Sequence, residues 1–287
     1  MNMPELPEVE TIRQDLRKKI LHKKIKNVIV TQKARMNMNH PDFVKSLKNK
    51  EFVEIDRIGK LIIFVLSKNI YLLVHLKMTG QLIYERGRQM IGGGHSDNQM
   101  PVNLPDKFTR ATFEFADGGK LYFNDMRRFG YLKIVNEKEL QIEKAKYGIE
   151  PLQTNFTLAN FKQALQNRKT SIKAVLLNQK LIAGVGNIYA DESCFIAGVK
   201  PSTRVNKLTS IQVKELYKAI EKIIKQAIEK RGTTFNHFRD SDGNKGNFVK
   251  YLKVYGRAGE KCKKCGSILK SLRVAGRGTV YCINCQK

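Results

Sequence analysis

The sequence holds no apolar run long enough to cross a bilayer. Its longest stretches, such as Leu61 to Leu66, fall far short of the ~18–20 residues that a membrane helix needs. Nothing near the N-terminus has the apolar run of a secretory signal peptide. Acidic residues are scarce, 26 against 53 Lys plus Arg, for a formal net charge of +27. That imbalance excludes an ordinary solvated surface and points to a polyanionic partner. Anionic lipid would satisfy the charge, but the basic residues are spread over periodic segments rather than gathered beside an amphipathic or lipidated anchor. Nucleic acid is the expected partner, with no membrane association. Internal repeats are also absent.

Cysteine is sparse, five in 287 residues, but four of the five stand as Cys262-x-x-Cys265 and Cys282-x-x-Cys285 with sixteen residues between the pairs. This is the spacing of a structural zinc site. Two disulfides of a secreted chain are the competing arrangement, which the lack of a signal sequence disfavours. Four thiolates with no histidine and no vacant ligand make any metal here a single, closed, structural Zn2+. The span from Gly266 to Tyr281 must fold back between the pairs, and it carries Lys270, Arg273 and Arg277 with no carboxylate. Cys194 reads as a small buried hydrophobe.

The length predicts about two domains. Val9, Ile12, Leu16 and Ile20 fall at helical spacing, with acids early and Arg17, Lys18 and Lys19 late, so the spacing predicts a helix over Glu8–Ile20. From Lys26 to Val135 the pattern shifts to short β-rich runs: Asn27–Thr31, Glu51–Ile58, Leu61–Leu66, Ile70–Leu76, Gln81–Tyr84, and Thr112–Phe115 joined through Asp117-Gly118-Gly119 to Leu121–Asn124. These predict a β-sandwich. Gly92-Gly93-Gly94 and two prolines between Arg86 and Pro105 suggest a long loop. The texture changes at Gly148-Ile149-Glu150-Pro151, beyond which helices are expected over Leu158–Gln166, Ile172–Leu177, Asn187–Ala197 and Ser210–Arg231. Gly232 to Gly259 has no regular period and reads as a loop before the cysteine-rich segment.

The opening Pro4-Glu5-Leu6-Pro7-Glu8-Val9-Glu10-Thr11 would pass alone for a helix start. Taken with Asp125-Met126-Arg127-Arg128-Phe129-Gly130, Gly184 to Glu192 (GVGNIYADE), Val254-Tyr255-Gly256-Arg257 and the cysteine pairs, it closely resembles the bacterial formamidopyrimidine-DNA glycosylases, the oxidised-guanine repair enzymes. The resemblance spans essentially the whole chain. It implies an α+β architecture: an N-terminal β-sandwich with a flanking helix (1–147), a helix-two-turn-helix domain (148–232), a lesion-capping loop and linker (233–258), and a β-hairpin zinc finger (259–287).

The resemblance further implies a monomeric, cytoplasmic, nucleoid-associated bifunctional glycosylase and abasic-site lyase acting on duplex DNA that carries an oxidised purine or an abasic site. The secondary amine of Pro4 would be the nucleophile, Glu5 the acid that protonates the opening sugar, and Lys60 and Arg277 phosphate-binding catalytic cations. Met78, Arg127 and Phe129 would plug the gap left by the extruded nucleotide, with Arg128 beside them; Lys169, Lys173 and Asn187 would contact DNA. Thr233-Thr234-Phe235 and Ser241-Asp242-Gly243 match the loop that closes over the flipped base. Two departures stand out: Phe108 occupies the place of a DNA-contacting histidine found in many relatives, and Met1-Asn2 precedes Met3-Pro4. If Met1 were retained, Pro4 would be an amide without nucleophilicity and the chain a non-catalytic binder of damaged DNA; a start at Met3, or further trimming, is the expectation. A related glycosylase acting on oxidised pyrimidines is the other alternative, disfavoured by Leu6 where that branch tends to carry glycine.

Overall fold

The computed structural model describes residues 3–87, 89–94, 103–233 and 248–287. The chain divides into two compact units, Met1–Ala145 with Lys230–Val249, and Lys146–Glu229 with Lys250–Lys287. Among the described residues no helix is long and apolar enough to cross a membrane.

The first unit opens with helix α1, Leu6–Ile20. Pro7 in its first turn and Arg17, Lys18 and Lys19 in its last suit the helix ends. Its stripe of Val9, Ile12, Leu16 and Ile20 is buried as the periodicity predicts. Two antiparallel sheets follow, built from β1 (Ile25–Val30), β2 (Phe52–Ile58), β3 (Leu61–Leu66), β4 (Ile70–His75), β5 (Gly80–Arg86), β6 (Gln89–Gly94), β7 (Thr109–Phe115), β8 (Lys120–Asp125) and β9 (Tyr131–Val135). One sheet has the order β1-β7-β8-β5-β6, the other β2-β3-β4-β9. Phe52 meets Phe64 within its own sheet at 5.2 Å and Phe115 of the facing sheet at 5.8 Å, both edge-on. These rings join the two inner faces into one sandwich core with α1.

Three elements depart from the sequence expectation. Gln89–Gly94 is strand β6, paired to β5 through Tyr84↔Ile91 and Gln81↔Gly94, rather than part of a loop. Its glycines permit close packing: a Cβ on Gly94 would lie 2.2 Å from the carbonyl oxygen of Gly80. Residues 88 and 95–102 of the expected loop lie outside the described residues. Helices α2 (His40–Leu47) and α3 (Glu137–Lys144) fall inside or beside the β-rich region. Each is too short for a visible period, but each has an asparagine cap, Asn39 accepting from the Asp42 amide at 2.9 Å and Asn136 from that of Glu139 at 3.0 Å.

The second unit contains α4 (Leu158–Leu165), α5 (Ile172–Leu177), α6 (Asn187–Ile196), α7 (Ser210–Glu229) and a two-stranded sheet of β10 (Lys270–Val274) and β11 (Arg277–Tyr281). Thr157 and Ser171 cap α4 and α5 through their hydroxyls. Helix α7 buries Leu216, Ala219, Ile220, Ile223, Ile224 and Ala227 on one face, and Phe156, stacked 5.1 Å from Tyr217, fills the space beside α4. Val274 pairs with Arg277 across a two-residue turn in which Ala275 (φ +49°) and Gly276 (φ +71°) are both left-handed. That is the geometry of a tight hairpin turn matched to strand twist.

Candidate nucleic-acid interface and catalytic terminus

Pro4 and Glu5 are buried at the head of α1, Glu5 to 3% exposure. Glu5 is the N-cap, and its backbone N–H donates to Oε2 of Glu8 at 3.0 Å. The other oxygen of Glu8 accepts from the backbone N–H and the hydroxyl of Thr233, at 2.7 and 2.9 Å. One carboxylate therefore ties the start of the helix to the last described residue before 234–247. Those positions, with Thr234-Phe235 and Ser241-Asp242-Gly243, lie outside the described residues.

Lys60 follows Gly59 (φ +55°) at the turn from β2 to β3 and is 4% exposed. Near it is a group that the sequence reading passed over, His75 at the end of β4. Burial first, then the charges of Lys77 and Lys60, push this imidazole down to about 3. Its Nδ1 accepts from the Lys77 backbone N–H at 3.1 Å, so the neutral ring is the form that this site holds. A histidine ending an otherwise apolar strand run was the available signal.

Met78 lies in the connection from β4 to β5, and Arg127, Arg128 and Phe129 in the connection from β8 to β9. The Arg127 guanidinium sits 4.9 Å over the Phe129 ring and its Nη1 reaches the Met78 sulfur at 3.4 Å. Arg128 is left-handed (φ +58°) and exposed, and Phe129 is 43% exposed, unusual for a phenylalanine. The sequence motif thus folds into a tip of cation, ring and thioether. Phe108 precedes β7 and donates its backbone N–H to Asp106.

In the second unit, Lys169 is exposed between α4 and α5, and it lines an open cleft with Lys162 and Arg168. Lys173, which the resemblance gives a DNA or lesion contact, has its side chain fully buried here against protein partners. Its ammonium lies 2.6 Å from Asp191 Oδ1 and donates to Thr279 Oγ1 at 2.7 Å and to the Gly278 carbonyl at 3.2 Å. Its two hydrogen bonds thus go to the hairpin, and the contact with Asp191 is an ion pair. Asp191 Oδ2 accepts from the Val280 backbone N–H at 3.1 Å, and burial, outweighing Lys173, pushes Asp191 up to about 6. Asn187 opens α6 behind Gly186 and donates to the same Gly278 carbonyl at 3.1 Å. The adjacent Glu192 accepts from the backbone N–H groups of Lys253, Val254 and Tyr255 at 2.9–3.0 Å, while its burial pushes the carboxyl up. Asp191 and Glu192 were visible only as motif letters. Their work in the fold depends on segments far along the chain, for Asp191 a hairpin about ninety residues away, which spacing alone does not reveal.

Arg277 is exposed at the first position of β11, directly after the left-handed turn. Behind it the sulfurs of Cys262, Cys265, Cys282 and Cys285 all lie within 4.8 Å of one another. A tetrahedral Zn2+ with bonds of ~2.3 Å sets sulfurs about 3.8 Å apart, and the contacts of 4.0 Å (Cys262 to Cys285) and 3.5 Å (Cys265 to Cys282) fit that ion. Cys194 is buried apart from this cluster, as expected.

Three family models match in chain order: the formamidopyrimidine-DNA glycosylase N-terminal domain over residues 3–132, the H2TH domain of the same glycosylases over 147–239, and a zinc finger found in these enzymes and in IleRS over 259–287. A formamidopyrimidine-DNA glycosylase of Desulfitobacterium hafniense is 39% identical over 99% of this chain and 100% of its own. One from Carboxydothermus hydrogenoformans is 40% identical over the same shares. Among solved structures, the Lactococcus lactis enzyme in complex with DNA containing an abasic site superposes with a TM-score of 0.87 at 32% identity, covering 99% of both chains. The same organism's enzyme bound to DNA containing Fapy-dG gives 0.86 at 32%, over 99% of this chain and 100% of that one.

Proposed function

This chain belongs to the formamidopyrimidine-DNA glycosylase family, and from that membership we propose that it excises oxidised purines, 8-oxoguanine and formamidopyrimidines, from duplex DNA and then cleaves the abasic strand. It is a base-excision-repair glycosylase with lyase activity, and its DNA partner and single structural zinc follow from the same membership. The observation that carries the reading is the run of three family domains along one chain, together covering nearly all of it. The working divisions are a catalytic sandwich at 1–147, the helix-two-turn-helix at 148–232, a lesion-capping stretch at 233–258 and the finger at 259–287. Action as a monomer in the bacterial cytoplasm, at the nucleoid, completes the proposal.

The chemistry follows from the residue types. With the residues ahead of it removed, Pro4 presents a secondary amine; the family match beginning at Met3 supports this start. An α-amine with pKa near ~7.7–8.0 is partly neutral at physiological pH, unlike a lysine near ~10.4. Attack at C1′ forms the C–N bond as the bond to the damaged base breaks, and Glu5 protonates the opening sugar ring. Because the amine is secondary, the product is a permanent iminium cation that acidifies the neighbouring sugar C–H. Loss of that proton expels the 3′ phosphate, and a second elimination expels the 5′ phosphate. Lys60 and Arg277 neutralise phosphates around the lesion. Met78, Arg127 and Phe129 fill the vacancy that base extrusion leaves, and Lys169 and Asn187 hold the backbone. Zn2+, on Cys262, Cys265, Cys282 and Cys285, cross-links the finger and takes no part in the reaction.

Borohydride trapping on duplex DNA with 8-oxoguanine opposite cytosine tests the proposal. A covalent adduct on a chain that begins at Pro4 is expected. No adduct from a Pro4-terminated protein would overturn it in favour of a non-catalytic binder of damaged DNA.

A further inference from the structure

The connections bearing the proposed plug share a structural peculiarity. Strand β4 belongs to the four-stranded sheet and β5 to the five-stranded one, while β8 and β9 belong to the five- and four-stranded sheets respectively. Both the Leu76–Thr79 and the Met126–Phe129 segments are therefore crossings from one layer of the sandwich to the other. They leave the sheets side by side, since Gly80 pairs with Asp125 and His75 with Tyr131.

Between the crossings lies a polar knot, buried and spent entirely on backbone and loop. Asp125, 1% exposed, accepts from the Thr79 hydroxyl on Oδ1 and from the Gly130 backbone N–H on Oδ2 at 2.7 Å. The same hydroxyl oxygen of Thr79, 4% exposed, accepts the backbone N–H of Arg127 at 2.9 Å. The Asp125 carbonyl takes Nε of the buried Arg110 at 2.9 Å. Gly130 leaves no room for slack: a Cβ there would stand 2.8 Å from the Phe123 ring, 3.0 Å from Asp125 Oδ2 and 3.0 Å from the His75 carbonyl. The segment 126–129 is thus gripped at both ends by one carboxylate, directly and through one hydroxyl.

We infer that Thr79 and Asp125 are positioning residues for the plug, holding Met78, Arg127 and Phe129 assembled before DNA arrives. This rests on the plug assignment made above. Neither residue carries the surface expected of a DNA contact. Their contribution is to remove from the binding event the ordering of two loops that would otherwise meet only at their tips.

The test is Thr79→Val, which keeps the shape and removes both hydrogen bonds, with Thr79→Ser as the conservative variant. Under single-turnover conditions, T79V is expected to slow excision of 8-oxoguanine opposite cytosine in duplex DNA by about 10- to 100-fold, and T79S to restore the rate. On a single-stranded oligonucleotide with a preformed abasic site, where no stack is opened, T79V is expected within about twofold of the parent enzyme, an outcome that a general loss of structure would not give. In an Arg127→Ala background, T79V should add less than about twofold, as non-additive partners do. Unimpaired duplex excision by T79V while R127A is slow would overturn this inference alone, as would an equal loss on the single-stranded substrate. R127A at the parental rate would overturn the plug assignment, and the inference with it.

Discussion

Replacing Lys173 with methionine keeps most of the side-chain volume and deletes the charge. It strands Asp191, which is fully buried, 2.6 Å from the ammonium it loses, and leaves Thr279 Oγ1 without its 2.7 Å donor. Breaking a buried pair by removing one partner costs ~3–5 kcal/mol, or roughly 10²- to 10⁴-fold in the unfolding equilibrium. The cost must depend on pH. Burial already pushes Asp191 up to about 6 with Lys173 present, and losing the cation pushes it higher. Because the folded-state pKa exceeds the unfolded value of ~3.9, the folded form binds the extra proton, so stability is greatest below the unfolded pKa and is lost as pH rises through the folded one. Urea titrations followed by far-UV circular dichroism should therefore show a larger deficit for K173M at pH 8 than at pH 5. Lys173→Met combined with Asp191→Leu should regain most of it. A deficit below about 1 kcal/mol, a deficit equal at both pH values, or no recovery in the double variant would refute the buried-pair reasoning. The slope of log affinity against log salt should be unchanged by K173M; a flattening of about 0.9 would make Lys173 a phosphate contact after all.

Arg277→Ala, in contrast, should flatten that slope by about 0.9, and by metal analysis it should retain its zinc. His75 is held down to about 3, below its unfolded value of ~6.5, so the neutral ring stabilises the fold above pH 6.5 and that stability drains away as pH falls toward 3. His75→Gln should flatten the acid limb of the stability curve by up to roughly 5 kcal/mol. Gly130→Ala should destabilise by ~1–3 kcal/mol through overpacking, and a melting temperature equal to the parent would show the crossing to be looser than its contacts imply. Thr233→Val, which removes one of the bonds to Glu8, should cost about 1 kcal/mol in chemical denaturation of the intact chain.

What could be read in advance followed the strength of local signals. The long apolar stripes of α1 and α7 and the cysteine spacing specify their structures within a few residues. Short elements escape: α2 buries little more than Phe43 and Leu47, and β6 hides behind glycines that usually mark a loop. Site residues divide the same way. Arg127 and Phe129 are conspicuous as letters, whereas Thr79 and Asp125 act through contacts between segments forty-six residues apart. Lys173 shows the same dependence: the family resemblance gives it a DNA or lesion contact, and only the fold places a carboxylate against it.

Strands β10 and β11 are attached to the helical body by more than their metal. Asp191 holds the Val280 amide, Lys173 the Gly278 carbonyl, and Gln286 reaches the Val199 carbonyl at 2.9 Å while the terminal Lys287 exchanges main-chain bonds with Gly198 and Lys200. The segment from Glu260 to Lys287 is too small to bury a core of its own, so it takes its foundation from α5, α6 and the residues just after α6, and the ion serves as a rivet for the knuckles. The two fasteners can fail separately. Stripping the ion is expected to release the Cys262–Cys265 turn into fast hydrogen exchange while the amide of Val280 stays shielded and the Cys282–Cys285 turn stays held through Gln286, so a zinc-free preparation can lose its first knuckle and keep its arginine in place.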